Sequence, residues 1–273
     1  MKRGTVYGVG VGPGDPELMT LKAVRLIRDC DVIAVPHREA DQCAALKIAR
    51  AAAGGISDKK IVPIDMPMTR DEKLRLSAFE SGADIISALL DEGKNVVFLT
   101  LGDPTVYSTY GYLQRRLTGR GYDARLVPGV TSFCASAAAL GIQLCEDREQ
   151  LHLIPGGTDA GEALTLRGTK VFMKGSSAEL KQMLKDRNLP VFAAENCGME
   201  NESLYRSADE LNGDAGYFTV TIVKEQGYDS FCRSRVRRGR PDHRARKVAS
   251  GVRGRDHLRG ISGQPGSPFL RKG

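Results

Sequence analysis

The segment Asn95-Val96-Val97-Phe98-Leu99-Thr100-Leu101, followed directly by Gly102-Asp103-Pro104, indicates most about the fold. A nearly continuous apolar run of this length, bounded by turn residues, is typical of a strand that is buried on both faces. The turn that follows lies where open α/β sheets bind their ligands, at the carboxyl end of a strand. The segment therefore predicts a central strand and a ligand-binding loop.

Strand-like and helix-like segments alternate on both sides of this run. Segments with helical character cover residues 17–28, 41–53, 71–91 and 107–118. Strand-like segments cover residues 5–11, 31–35, 61–66 and 124–127. This alternation predicts an α/β fold with a mostly parallel sheet.

The pattern changes after Pro128-Gly129, where strand candidates dominate and only two or three helices separate them. These candidates cover residues 151–155, 169–173, 191–195, 203–206 and 217–224. We therefore expect two α/β domains: residues 1–120 with a mostly parallel sheet, and residues 121–226 with a mixed sheet.

Composition excludes several classes of protein. Of the 273 residues, 41% are hydrophobic and 27% are charged, as in ordinary globular proteins. No apolar stretch approaches the roughly 20 residues that span a bilayer, so we expect no membrane association. The N-terminus shows no signal-peptide pattern, and the six cysteines include no CxxC pair. We therefore expect reduced thiols, a cytoplasmic location and no metal site.

The net charge of +7 is unevenly distributed along the chain. Residues 227–273 contain eleven Arg, two Lys and three Asp, a net charge of +10, whereas residues 1–226 carry −3. The tail lacks any sustained periodicity and is rich in Arg, Gly, Pro and Ser, so we expect it to be disordered. Such a tail is able to attract nucleic acid, but the acidic body disfavours a nucleic-acid partner.

Three loops occupy equivalent positions, each between a strand and a helix: residues 8–16, 100–108 and 127–132. The first is rich in glycine but fits neither GxGxxG nor GxxxxGK[ST], and Pro13 removes an amide donor that a phosphate would need. Asp15 and Glu17 would also repel phosphate, so NAD and ATP are disfavoured as ligands. A tight turn alone would explain the glycines equally well.

The other two loops also admit both a functional and a purely structural explanation. Asp103 is able to accept hydrogen bonds from a ligand, yet Asp-Pro after a strand is also a common start of a helix. The hydroxyls of Thr131 and Ser132 would face the same cleft as Asp103, yet either residue would also serve as a helix N-cap.

In their order and spacing, the three loops resemble those of the tetrapyrrole methylase family. The members of this family are S-adenosylmethionine-dependent methyltransferases. The similarity extends from about Thr5 to Lys224. It is carried by GVGVGPGDPELMTLKA (8–23), PMTRD (67–71), LGDPTVYSTYGYL (101–113), VPGVTSFCASAAALGIQL (127–144) and GYFTVTIVKE (216–225). These segments most resemble the family members that methylate C20 of precorrin-2.

The resemblance implies two α/β domains with the methyl donor in the cleft between them. It implies C20 methylation of precorrin-2 or its cobalt complex in cobalamin synthesis, by a homodimer. The donor-binding residues that it implies are Pro13, Leu101, Gly102, Asp103, Val106, Tyr107, Thr131, Ser132 and Met173. For Met173, core packing is the alternative. Methylases of ribosomal-RNA ribose or of diphthamide synthesis share the fold and remain alternatives. So does an inactive homologue with an aberrant C-terminus.

The sequence identifies no catalytic base. Some relatives carry an acidic residue after the second strand, but residues 35–39 read Val-Pro-His-Arg-Glu, with no Asp at the matching position. A polycarboxylate substrate also requires cations at the cleft. Arg38, Arg70 and Lys174 are candidates by position, with solvated surface charge as the alternative for each.

Overall fold

The computed structural model of the chain describes residues 2–67, 69, 71–175, 177–211 and 216–225, which form two five-stranded sheets. The basic tail, residues 227–273, lies outside the described residues, as does Arg70. The expected disorder of the tail therefore stays a prediction. Within the described part, no helix combines the length and apolar character that a membrane crossing needs.

The first sheet is entirely parallel, with the strand order β3-β2-β4-β1-β5. Its strands are β1 (Thr5–Gly10), β2 (Val32–Val35), β3 (Lys60–Pro63), β4 (Val96–Thr100) and β5 (Asp123–Val127). Its helices are α1 (Leu21–Asp29), α2 (Ala44–Ala53), α3 (Glu72–Asp91) and α4 (Tyr110–Gly119). The mostly parallel first sheet is thus confirmed, with the apolar run at its centre.

Strand β4 is buried on both faces, which explains its uninterrupted apolar sequence. Val97 and Leu99 pack among residues of α1 and α2 on one face. Val96 and Phe98 pack among residues of α3 and α4 on the other. Since neither face meets water, no alternation of polar and apolar residues is required.

The first sheet continues beyond the expected domain junction at residue 120. Strand β5 pairs in parallel with β1, with Asp123 opposite Thr5 and Val127 opposite Val9. The glycines at 119 and 121 therefore mark the turn from α4 into β5. The first sheet ends at Val127, and the division of the chain into two domains stays a prediction.

The second sheet is mixed, as the sequence predicts, with the order β6-β7-β10-β8-β9. Its strands are β6 (Leu151–Ile154), β7 (Thr169–Met173), β8 (Val191–Glu195), β9 (Ser203–Tyr205) and β10 (Thr219–Val223). Only β6 and β7 are parallel neighbours. Helix α5 (Ser132–Leu140) covers one face, and α6 (Ala160–Ala163) and α7 (Ala178–Asp186) cover the other.

Candidate functional site

The three loops meet at the carboxyl edge of the first sheet. The amide of Gly102 donates to the carbonyl of Gly12 at 2.8 Å, and the amide of Gly12 donates back to Gly102 at 3.3 Å. A Cβ atom on Gly10 would lie 2.5 Å from the Gly102 carbonyl oxygen and 2.7 Å from the Gly129 nitrogen. The close approach of three backbone segments therefore requires glycine at position 10. At position 12, glycine is favoured because the turn needs a φ of 78°.

Asp103 fastens the second loop to the third. Its side chain is buried, and its Oδ1 accepts hydrogen bonds from the amide of Thr105 at 2.7 Å and from the Thr105 hydroxyl at 2.6 Å. Its Oδ2 accepts from the amide of Gly129 at 3.1 Å. The carboxylate therefore connects the second loop to the third. Its contact with the methyl donor stays a prediction and would use its remaining acceptor capacity.

Thr131 occupies the N-cap position of α5 but does not cap the helix with its side chain. Its Oγ1 is buried and has no hydrogen-bond partner among the described residues, and the same holds for Thr100 at the end of β4. Buried hydroxyls are nearly always hydrogen-bonded, so these two have hydrogen-bonding capacity available for a water molecule or a ligand at this edge of the sheet. Ser132, the first residue of α5, is half-buried beside Thr131.

Val106 and Met173 bring the two sheets together. Met173, the last residue of β7, lies in the apolar cluster under α5, and Val106 and Val130 pack against the same cluster. Predicted donor-lining residues from both halves thus share one junction. Core packing also accounts for Met173, which is 9% exposed, so its role toward the donor stays a prediction. Pro13 is buried in the first loop, and Leu101 is half-buried in the second.

The first loop also packs against the second half of the chain. A Cβ atom on Gly14 would collide with the carbonyl oxygen of Cys197 and lie 2.9 Å from the Gly198 carbonyl carbon. Asp15 shapes this part of the loop, because its Oδ1 accepts from the amide of Glu17 at 2.8 Å. Burial raises the pKa of the Cys197 thiol to about 11, so it is neutral at pH 7 and acts through packing.

We expect Gly14→Ala to lower stability by about 1–3 kcal/mol and to weaken methyl-donor binding, because backbone atoms block the added methyl group. Gly119→Ala is the matched control, since a Cβ atom there meets nothing within 4 Å and neither glycine has a positive φ. Thermal unfolding and calorimetric titration with S-adenosylhomocysteine measure both effects. Equal behaviour of the two variants would contradict the close contact.

Tyr107 connects the second loop to the second sheet. Its backbone is left-handed, with φ 46°, and its hydroxyl donates to the carbonyl of Leu153 at 3.1 Å. Its own carbonyl accepts from Nζ of Lys174 at 3.2 Å. Sequence reasoning did not find this connection, because neither Leu153 nor the pairing with Lys174 carries a local signal.

The remaining sequence predictions concern the cations for the substrate, a catalytic base and a metal site. Of the two candidate cations that the structure describes, Arg38 donates to Asp65 at 2.7 Å, and Lys174 lies at the junction of the sheets, where it donates to the carbonyl of Tyr107. Nδ1 of His37 accepts from the amide of Glu39 at 3.0 Å, and neither residue is assigned as a base. No group of His, Cys, Asp and Glu among the described residues is suited to hold a metal ion.

Comparisons with known proteins agree with this arrangement. The family model of Tetrapyrrole (Corrin/Porphyrin) Methylases matches residues 5–211. A Methanocaldococcus jannaschii relative, named probable cobalt-precorrin-2 C(20)-methyltransferase, is 34% identical over 225 residues, or 80% of this chain and 95% of the relative. The cobalt-precorrin-2 C(20)-methyltransferase of Salmonella typhimurium is 30% identical over 233 residues, or 82% of this chain and 97% of that protein.

The fold is likewise similar to that of a solved methyltransferase. The crystal structure of uroporphyrin-III-C-methyltransferase from Thermus thermophilus superposes with a TM-score of 0.60 and 26% sequence identity. The match covers 82% of this chain and 93% of the other. Since the family model matches most of the chain and the relatives are similar over nearly their whole length, this chain belongs to the tetrapyrrole (corrin/porphyrin) methylases.

Proposed function

We propose that the chain transfers a methyl group from S-adenosylmethionine to C20 of precorrin-2 or cobalt-precorrin-2 in cobalamin biosynthesis. One observation carries this proposal: two relatives named as cobalt-precorrin-2 C(20)-methyltransferases are similar to this chain over 95% and 97% of their own length.

The residues at the junction of the sheets fit this donor. The buried, unpartnered hydroxyl of Thr131 would hydrogen-bond a polar group of the nucleoside or amino-acid part. Val106 and Met173 would supply apolar surface for the adenine. Gly102, with φ 70°, carries no side chain, and a Cβ atom there would meet nothing closer than 4.0 Å, so the position leaves room for a ligand beside the loop.

The chain's contribution to the reaction is alignment. When bound, the donor supplies a methyl group that its sulfonium already activates. The loops must therefore align a carbon nucleophile with the S–CH3 bond and exclude water. Asp103 and the glycine contacts hold the loops to one another, which limits the ordering that binding requires.

The test is an anaerobic incubation of the purified full chain with S-adenosylmethionine and either precorrin-2 or cobalt-precorrin-2. We expect the absorption spectrum of the tetrapyrrole to shift and its mass to increase by one methyl group in place of a hydrogen. With a donor labelled in its methyl carbon, NMR should show the label at C20. Ribosomal RNA serves as the competing acceptor. Methylation at another carbon, or of RNA alone, would contradict the proposal.

We also infer that the chain forms a homodimer in the cytoplasm. Leu74 and Leu76, both in the first two turns of α3, are 59% and 44% exposed, which supports association with a second copy through this helix. The described cysteines are free thiols, as in a reducing compartment. Sedimentation of the full chain at several concentrations tests the dimer, and a monomer throughout would contradict it.

A further inference from the structure

Four exposed residues form a cluster where the two sheets meet: Tyr107, Lys174 directly after β7, and Tyr217 and Phe218 directly before β10. The three aromatic residues are 45%, 45% and 40% exposed. Nζ of Lys174 lies 3.2 Å from the carbonyl oxygen of Tyr107 and 5.5 Å from the centroid of the Tyr217 ring. Tyr217 and Phe218 pack edge to face, with centroids 5.4 Å apart. We call this cluster the Lys174 platform.

The backbone around the Lys174 platform is strained and well anchored. Five non-glycine residues of the described part have a positive φ, and three of them lie here: Tyr107 (46°), Lys174 (68°) and Asn196 (53°). The amide of Asn196 donates to the carbonyl of Phe218 at 3.1 Å, which ties the aromatic segment to the end of β8. Strain of this kind persists where the surroundings fix it and is concentrated at functional sites.

Lys174 carries a positive charge, and the groups around it in the described part of the chain are uncharged. Among the residues that the structure describes, no carboxylate forms an ion pair with it; its contacts are a carbonyl oxygen and an aromatic face. Glu195, at the same edge of the sheet, accepts from the amide of Gly216 at 3.0 Å and from the hydroxyl of Tyr205 at 3.2 Å. An exposed ammonium with one donor in use keeps two for an anionic ligand.

We propose that the Lys174 platform binds the tetrapyrrole substrate: the ammonium of Lys174 pairs with a carboxylate on the edge of the macrocycle, and the rings of Tyr107 and Tyr217 contact its apolar surface. This inference rests on the proposed function. Lys174 directly follows Met173, so a macrocycle held on the platform lies next to the predicted donor site. The platform therefore contributes to affinity for the macrocycle rather than to the chemical step.

Kinetics of the full chain with precorrin-2 test the platform. We expect Lys174→Gln to raise KM for precorrin-2 roughly tenfold or more, through the lost charge-assisted hydrogen bond, with kcat changed less than about twofold. Lys174→Arg should restore most of the affinity. Tyr217→Leu should raise KM, whereas Tyr217→Phe should not. Lys22→Gln, an exposed position on α1, is the control for loss of one positive charge.

Two further measurements separate substrate binding from a structural role. Calorimetry with S-adenosylhomocysteine and the thermal midpoint should be the same for Lys174→Gln and the wild type. Fluorescence titration with uroporphyrin III and with its methyl ester gives a second readout. The wild type should prefer the free acid, and Lys174→Gln should remove that preference without changing affinity for the ester.

The outcomes distinguish this inference from the proposed function. Methylation of precorrin-2 by Lys174→Gln with a wild-type KM would overturn the platform and leave the proposed function standing. Failure of the wild type to methylate precorrin-2 would overturn the proposed function, and the porphyrin titration would then decide on the platform alone. Equal affinity of the wild type for the acid and the ester, or binding of neither, would overturn the platform.

Discussion

Replacement of Asp103 by alanine is expected to abolish measurable binding of S-adenosylhomocysteine and to lower the free energy of unfolding by about 2–4 kcal/mol. Asp103 is 9% exposed, and its carboxylate accepts from the amide and hydroxyl of Thr105 and from the amide of Gly129. Without it, these donors lose their partner and the third loop loses its tether to the second. Calorimetry and urea unfolding measure the two effects.

Two variants show whether the effect comes from this particular contact. Asp103→Asn keeps the size but replaces one acceptor oxygen by a donor group, so either Thr105 or Gly129 faces an NH2 group, and donor binding should still be impaired. Asp209→Ala removes an exposed carboxylate that pairs with Lys185, and it should change neither quantity appreciably. Wild-type affinity in Asp103→Ala would remove Asp103 from the account of the site.

Lys224→Met is expected to cost about 3–5 kcal/mol of stability, because it leaves a carboxylate without its buried partner. The side chain of Lys224 is fully buried, and its Nζ donates to the Leu144 carbonyl at 2.7 Å, to Glu149 at 2.9 Å and to the Thr169 hydroxyl at 2.8 Å. These bonds tie the end of β10 to the segment before β6. Urea unfolding at pH 7 measures the loss.

The pH dependence of stability gives this prediction a second signature. Burial tends to raise the pKa of Glu149, but the hydrogen bonds from Thr169 and Lys224 outweigh it and hold the pKa below its ordinary value of 4.5. In the wild type, this stabilisation is present above pH 4.5 and is lost as the pH falls through the lowered pKa. Lys224→Met removes the Lys224 hydrogen bond and charge, so the pKa of Glu149 moves upward, and acidification should cost the variant less stability than it costs the wild type.

A double variant is the control for Lys224. Removing both charges with Lys224→Met and Glu149→Gln should give a protein that is more stable at pH 7 than Lys224→Met alone, since no unpaired carboxylate remains. Two results would contradict the buried ion pair: a stability of Lys224→Met close to that of the wild type, or a double variant no more stable at pH 7 than Lys224→Met.

The fold was predictable wherever one local pattern decided the structure. The run that became β4 is apolar on both faces, and the strand-to-helix loops meet because the carboxyl ends of parallel strands share one edge. The first residues of two helices were predicted less accurately. The helix expected from residue 17 begins at Leu21, because Thr20 caps it through a bond from the amide of Ala23 at 3.1 Å. The helix expected from Tyr107 begins at Tyr110, because Tyr107 is left-handed.

Contacts between distant segments were not predictable from one sequence. Strand β5 has exposed charged positions at Asp123 and Arg125, a pattern that does not reveal its pairing with β1. Asp103 was expected to contact a ligand, and no sequence signal indicated its bond to Gly129. A lysine after a β-run is usually solvated, so the burial of Lys224 depends on Glu149 and Thr169 arriving from elsewhere in the chain.

Calorimetric titration of the intact chain with S-adenosylhomocysteine tests most directly whether the three converging loops form a methyl-donor site. We expect a saturable heat in the wild type, a weaker interaction in Gly14→Ala and none in Asp103→Ala. A properly folded wild-type protein that releases or absorbs no binding heat at any temperature tried would contradict the account.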